Sequence, residues 1–338
     1  MPGDHKSAIS AEDPSLDLIQ PVPEDKLQSW LKEFYGKPVE IVHREVLRHR
    51  DLSYVERLEF KDALPQSLIF KQVLPPWDIE QDLHERILIP SISNSPQLFM
   101  SAHVGPVTAM FMEDLGKDTL LSQCGDKNKT QAFAQRLGKE LAKMHRSYSY
   151  RTDELVPLGI LRSLSPIDYV DFTQRLLDKL ADWKLLAGKH REQIKHLAEA
   201  IAEALAGEPI SLSHGDLYAE NIIVRGEHIY IIDWSWFAML GVPLVDIATI
   251  TMEHHKNAQF QEHSRDLLEA YCFESGKSEE AVTANLPYAR ALSRLLFLEW
   301  LIERKSRGIE GTTVGPVDNL LALVVADLTE RLSSLKGS

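Results

Sequence analysis

The stretch SHGDLYAENIIVRGEHIYIIDW, Ser213 to Trp234, decides the reading of this chain. It opens on His214-x-Asp216-Leu217-x-x-x-Asn221 and closes on Asp233. Between these lie two apolar runs, Ile222 to Val224 and His228 to Ile232, separated by Arg225-Gly226-Glu227. Short β-branched runs broken by a glycine-containing turn predict a β-hairpin. With Glu227 as its midpoint, the hairpin sets Asn221 opposite Asp233.

Cross-strand neighbours carry their Cβ atoms about 4.5–5.5 Å apart. Two oxygen ligands at that separation suit a Mg²⁺ shared with nucleotide phosphates. The spacing from His214 to Asn221 is also that of a kinase catalytic loop, in which the Asp takes the acceptor's hydroxyl proton and the Asn binds Mg²⁺. Asp216 is the loop carboxylate at the required position. Phosphoryl transfer asks the protein mainly for positioning and charge neutralisation, which this set supplies.

Working outward, residues 1–24 are polar and punctuated by Pro2, Pro14, Pro21 and Pro23, and read as a loose arm. A helix is expected over Glu24 to Tyr35, closed by Gly36. Strands follow at Val39 to Arg48, Tyr54 to Phe60 and Ser67 to Val73, then a helix from Asp78 to Ile89 stopped by Pro90. Further strands are expected at Gln97 to Ala102 and Val107 to Met112. Beyond Gly116 helical spacing dominates, with Ser165-Pro166 as a helix start. The expected fold class is α+β, with two lobes: a small strand-rich N-lobe over 25–114 and a larger, mainly helical C-lobe over 115–338.

Three motifs, H214-G-D-L-Y-A-E-N221, I232-D-W234 and G241-V-P-L-V-D-I-A248, make the sequence resemble the aminoglycoside phosphotransferase and choline kinase superfamily. The resemblance implies a protein-kinase-like fold and an ATP-dependent phosphotransferase with an alcohol group as acceptor. ATP and Mg²⁺ are its implied cofactors, with GTP as the alternative donor. It gives Asp216 the catalytic role and Asn221 and Asp233 the metal, and makes Asp246 a brace for the catalytic loop. It further implies that Lys71, within Ile69-Phe70-Lys71-Gln72-Val73, contacts phosphate and pairs with a helix glutamate. Glu85 fits the family pattern best there, and Glu80 less well. Met110 to Leu115 resembles the hinge, where backbone groups of Glu113 and Leu115 meet the base. A kinase-type glycine-rich loop, which this superfamily often lacks, is absent, since residues 48–54 contain no glycine. Phosphate grip there falls to Ser53, backbone N–H groups or Arg50. His145 is read as packing.

Composition narrows the rest. The 338 residues carry a net charge of −13, opposite in sign to a nucleic-acid binder. No run is long and apolar enough for a membrane span, and two cysteines, Cys124 and Cys272, offer no disulfide framework, so a cytoplasmic setting is expected. The partner expected is a small hydroxyl acceptor, aminoglycoside-, amino-alcohol- or sugar-like, served by a monomer or homodimer. Acidity leans towards a cationic or polyhydroxylated acceptor, with Trp300 and Glu299 or Glu303 as candidate contacts. Rival readings are a nucleotide-binding pseudokinase scaffold and a protein kinase; the His-Gly-Asp form and the absence of an Ala-Pro-Glu segment after Asp233 speak against the latter. His254, His255 and His263 lie close in sequence without clean metal-ligand spacing.

Overall fold

The computed structural model of the chain describes residues 19–50, 52–312 and 315–336. Of the expected N-terminal arm, residues 1–18 lie outside these. Helix α1, Glu24–Tyr35, starts after Pro23 with Glu24 and Asp25 in its first turn, where carboxylates favour the helix dipole. Gly36, at φ 68°, ends it in the left-handed region. Five strands follow: β1 Glu40–His49, β2 Ser53–Lys61, β3 Ser67–Val73, β4 Leu98–Val104 and β5 Val107–Glu113. They form one antiparallel sheet in the order β1-β2-β3-β5-β4. Between β3 and β4 run α2, Ile79–Arg86, and the short α3, Pro90–Ser93.

Alternation along the strands gives the sheet two unlike faces. One face, with Leu58, Leu68, Phe70 and Phe111, closes against Leu27 and Leu31 of α1. The other carries Val73, Met110 and Met112 in a small separate apolar cluster, with Ile69 and Trp77 against it. Lys71 lies on this second face, because strand period two puts it with Ile69 and Val73.

The remainder is mostly helical: α4 Lys127–Ser149, α5 Thr152–Leu155, α6 Tyr169–Asp182, α7 Gly188–Leu205, α8 Leu244–Ile250, α9 Ser264–Ser275, α10 Glu279–Ser306 and α11 Val317–Lys336. Ser165 and Asp168 form a reciprocal capping box ahead of α6. Helices α4 and α9 approach so closely that a Cβ on Gly138 would lie 2.3 Å from the Leu267 carbonyl oxygen. A second small sheet, β6 Arg162–Leu164, β10 Met239–Gly241 and β7 Ser211–Ser213, holds the base of the catalytic segment. Beyond it lies the hairpin of β8, Ile222–Arg225, and β9, His228–Ile231.

The large core of the helical part reaches into the first lobe. Leu83, Ile87 and Leu88, in and just after α2, belong to it. The Tyr148 hydroxyl of α4 accepts the Ile89 N–H at 2.9 Å and donates to the Ile87 carbonyl at 3.1 Å.

Candidate active site

The predicted hairpin forms, with its register displaced by one residue. Gly226, at φ 62°, takes the first position of a two-residue turn that leaves Arg225 paired with His228 and Ile222 with Ile231. Asn221 therefore faces Ile232, whose N–H donates to the Asn221 carbonyl at 2.9 Å, and Asp233 lies one residue beyond. The turn centre falls between Gly226 and Glu227, not on Glu227. Asp233 itself adopts φ 64°, a left-handed conformation that Asp tolerates better than most residues.

The catalytic segment is built on backbone contacts. Asp246, fully buried on α8, accepts the His214 N–H at 2.9 Å on one oxygen and the Gly215 N–H at 2.8 Å on the other. His145 Nε2 stands 3.2 Å from the first of these oxygens, and its Nδ1 stands 3.2 Å from the Tyr271 hydroxyl. His145 is thus a buried link in the brace. Gly215 has φ 76°, and a Cβ there would sit 2.3 Å from the Phe237 carbonyl oxygen, so no side chain fits. The His214 ring donates from Nε2 to the Ile232 carbonyl at 3.0 Å, while Nδ1 accepts the Asp216 N–H at 3.3 Å. That pattern demands the neutral ring, and burial lowers its pKa accordingly.

Asp216 and Asn221 meet at the centre. Asn221 donates from Nδ2 to the Asp216 carbonyl at 2.9 Å and lies 3.5 Å from its carboxylate, which leaves Oδ1 as the oxygen a metal would use. Burial pushes the Asp216 carboxyl up to about 7; Lys256 pulls against it while Asp233 and Glu220 add like charge. Lys256 pairs with Glu220 at 2.6 Å and covers the Tyr218 ring at 4.9 Å. Asn257, fully buried, receives the Ala219 N–H at 3.0 Å and donates to the Thr249 and Met252 carbonyls.

Across from this loop stands a cluster of four charges. Lys71 Nζ lies 2.7 Å from Asp233 Oδ1 and 2.5 Å from Glu80 Oε2. Arg48 Nη1 lies 2.9 Å from Asp233 Oδ2. Two cations here face two carboxylates. Burial works against the charge on Lys71, but Asp233 and Glu80 together raise its pKa. Burial also opposes ionisation of Asp233, and Lys71 and Arg48 overcome it and hold the carboxyl well below its usual range. Burial pushes Glu80 up to about 7, against the pull of Lys71 and, more weakly, Arg48. The expected partner, Glu85, is placed elsewhere: it is exposed and accepts hydrogen bonds from Gln81 and the Ser101 hydroxyl. On α2 the two glutamates are five residues apart, so they point to different sides, and the buried side carries Glu80.

Other expected residues are placed as follows. Glu113 ends β5, donates its N–H to the Gln97 carbonyl at 2.9 Å and holds Arg225 of the hairpin at 3.3 Å. Leu115 is buried just beyond, and Ser53 is buried at the start of β2. Within the turn at 48–54, Asp51 is outside the described residues. Trp234 is fully buried against His214, whereas Trp236 stacks on Trp77 of the other lobe at 6.2 Å. Glu299 is paired with Arg162, Glu303 with Arg307, and Arg304 lies over the Trp300 ring at 4.9 Å, so the chain's own arginines already engage these candidate cation contacts. Among the described residues no cluster of three or more His, Cys, Asp or Glu is arranged for a metal, and no helix is long and apolar enough to cross a membrane. Arg48, Lys256 and Asn257 were not among the expected site residues. Asn257 carried no usable signal, being one polar residue among many in the run from Glu253 to His263.

Comparison with known proteins bears on the fold and the family. Protein LicA of Haemophilus influenzae is 39% identical over 64 residues, which cover 19% of this chain and 22% of that protein. The chain thus matches about a fifth of the length of these curated relatives. A putative aminoglycoside phosphotransferase from Ralstonia eutropha has the same fold at 13% identity and TM-score 0.62, with 92% of this chain and 98% of that one covered. A choline/ethanolamine kinase family protein from Mesorhizobium loti aligns at 16% identity and TM-score 0.57, over 93% and 99% of the two chains. The gentamicin-APH(2'')-IIa complex aligns at 15% identity and TM-score 0.60, over 92% and 97%. The family described as "Phosphotransferase enzyme family" matches residues 93–283, more than half of the chain, and the protein belongs to that family.

Proposed function

We propose that the protein is a small-molecule kinase that moves the γ-phosphoryl group of ATP to a hydroxyl of an aminoglycoside-, amino-alcohol- or sugar-like acceptor. The observation that carries this reading is the loop in which Asp216 and Asn221 are hydrogen-bonded to each other and braced by Asp246, with Asp233 facing Lys71 across the cleft. Residues 25–114 would form the nucleotide-binding lobe and residues 115–338 the acceptor-binding lobe.

Asp216 orients the acceptor hydroxyl and takes its proton as the oxygen attacks phosphorus. A pKa near 7 suits a general base at neutral pH. Lys71 steadies the phosphates, with Glu80 holding the ammonium in place. Ile69, Val73, Met110 and Met112 provide an apolar surface for the base beside the backbone of Glu113 and Leu115.

The oxygens of Asn221 and Asp233 are hard donors that fit Mg²⁺, which is usually held by one or two carboxylates together with substrate phosphates. One carboxylate and one amide oxygen, with the remaining positions left to phosphate and water, match that habit. When bound there, Mg²⁺ neutralises charge on the phosphate oxygens. Purified protein with ATP, Mg²⁺ and a panel of aminoglycosides, amino alcohols and sugars gives the test. Acceptor-dependent ADP release that disappears in Asp216→Asn supports the proposal. ATP binding with no stimulation by any acceptor would favour a nucleotide-binding scaffold.

A further inference from the structure

The turn that should grip phosphate has no glycine, yet the sheet delivers a second cation to the same place. Val46 of β1 pairs with Glu56 and Arg48 pairs with Val55, so Leu47 is an extra residue in the ladder. In an unbroken strand Arg48, two residues past Val46, would share its face with Val46 and Arg44. Arg44 is on the α1 side, bound to Glu24 and Glu56. The bulge moves Arg48 to the opposite face. There it falls into one cross-strand row, Arg48–Val55–Lys71–Met110. Arg48 and Lys71 therefore flank Val55 on the cleft face, and both reach the two oxygens of Asp233.

We propose that Arg48 is a phosphate-binding residue of the nucleotide cleft, supplying from β1 the grip that a glycine-rich loop would otherwise provide. The inference rests on the kinase reading above. Its guanidinium pairs with one carboxylate oxygen of Asp233. A divalent cation on Asp233 would face that guanidinium with like charge, so the arrival of metal-nucleotide displaces it. The β- and γ-phosphates are then the anions within its reach. A guanidinium presents a planar fork of donors matched to phosphate, and Arg48 is 30% exposed, so it exchanges partners without disturbing packing.

The test is equilibrium binding of ATP, ADP, AMP and adenosine, each with Mg²⁺, to the wild-type protein, Arg48→Gln and Arg48→Lys, with thermal unfolding of each variant alongside. We expect Arg48→Gln to weaken ATP binding about 10- to 100-fold, the range of charged hydrogen bonds lost, and ADP binding less. Adenosine and AMP should bind as before, and Arg48→Lys should recover part of the loss. Unchanged or tighter ATP binding by a folded Arg48→Gln overturns the proposal, the tighter result making Arg48 only a brake on Asp233. An equal loss for adenosine also overturns it, since the cause would then be the shape of the cleft. A wild-type protein that binds none of these nucleotides overturns the kinase reading itself, which separates the two failures.

Discussion

The two halves of the site are held together by different forces. The catalytic loop is fixed by backbone hydrogen bonds to buried side chains: Asp246 takes two successive N–H groups and Asn257 takes a third. The cluster of Lys71, Glu80, Arg48 and Asp233 is fixed by side-chain charge alone, across elements far apart in sequence. The first arrangement survives changes of ligand because its donors have no other acceptor. On the kinase reading the second is exchangeable, because Lys71 and Arg48 would find nucleotide phosphate and Asp233 a metal ion. Rigid chemistry thus sits beside exchangeable binding.

The sharpest break of this comparison is Asp216→Asn, which removes the proposed base and leaves the charge cluster intact. Turnover should fall about 10²–10⁴-fold with ATP affinity preserved. A matching loss of ATP affinity would show the halves are not separable. Next is Asp246→Ala, which leaves the His214 and Gly215 N–H groups buried without an acceptor. A destabilisation of about 3–5 kcal/mol, read by urea unfolding, is expected, with Asp246→Asn milder.

The pH profile sharpens the same division. Asp216, pushed up to about 7, must be deprotonated to accept the hydroxyl proton. The free protein's kcat/KM should therefore rise with pH, about tenfold per unit, and level off above about 7. Since protonation is the favoured state of this buried group, the gain in activity comes with some loss of its stabilising contribution over the same range. A flat profile from pH 5 to 8 would remove Asp216 from the role. The smallest contrast lies on α2. Glu80→Gln should cost about 1–3 kcal/mol and weaken ATP binding, whereas Glu85→Gln should change stability by no more than about 0.5 kcal/mol. The reverse order would restore Glu85 as the partner of Lys71.

What could be read from sequence follows the same line. Elements set by local pattern were legible: α1 over Glu24–Tyr35 and β3 over Ser67–Val73 fall where alternation and turn residues put them. The loop from His214 to Asn221 was legible because its geometry depends on covalent spacing. Pairings across the cleft were not. Glu80 and Glu85 differ only in which side of one helical turn faces the core, and that is decided by packing of Leu83 and Ile87 into the larger lobe. The hairpin register depended on whether its turn held two residues or three. Arg48 was hidden by a bulge, since plain alternation assigns it to the wrong face.

The tie through Tyr148 has a mechanical consequence. Buried apolar side chains and two hydrogen bonds join the end of α2 to α4, whereas α2 meets β4 through polar contacts of Gln81 and Glu85 with Ser101. The helix that carries Glu80 is therefore anchored to the helical lobe, and an opening of the cleft would separate it from the five-stranded sheet. The seam between the two runs through the ammonium of Lys71. Opening the cleft would part it from Glu80 and Asp233 together, and because these pairs are largely buried, added salt would screen them little.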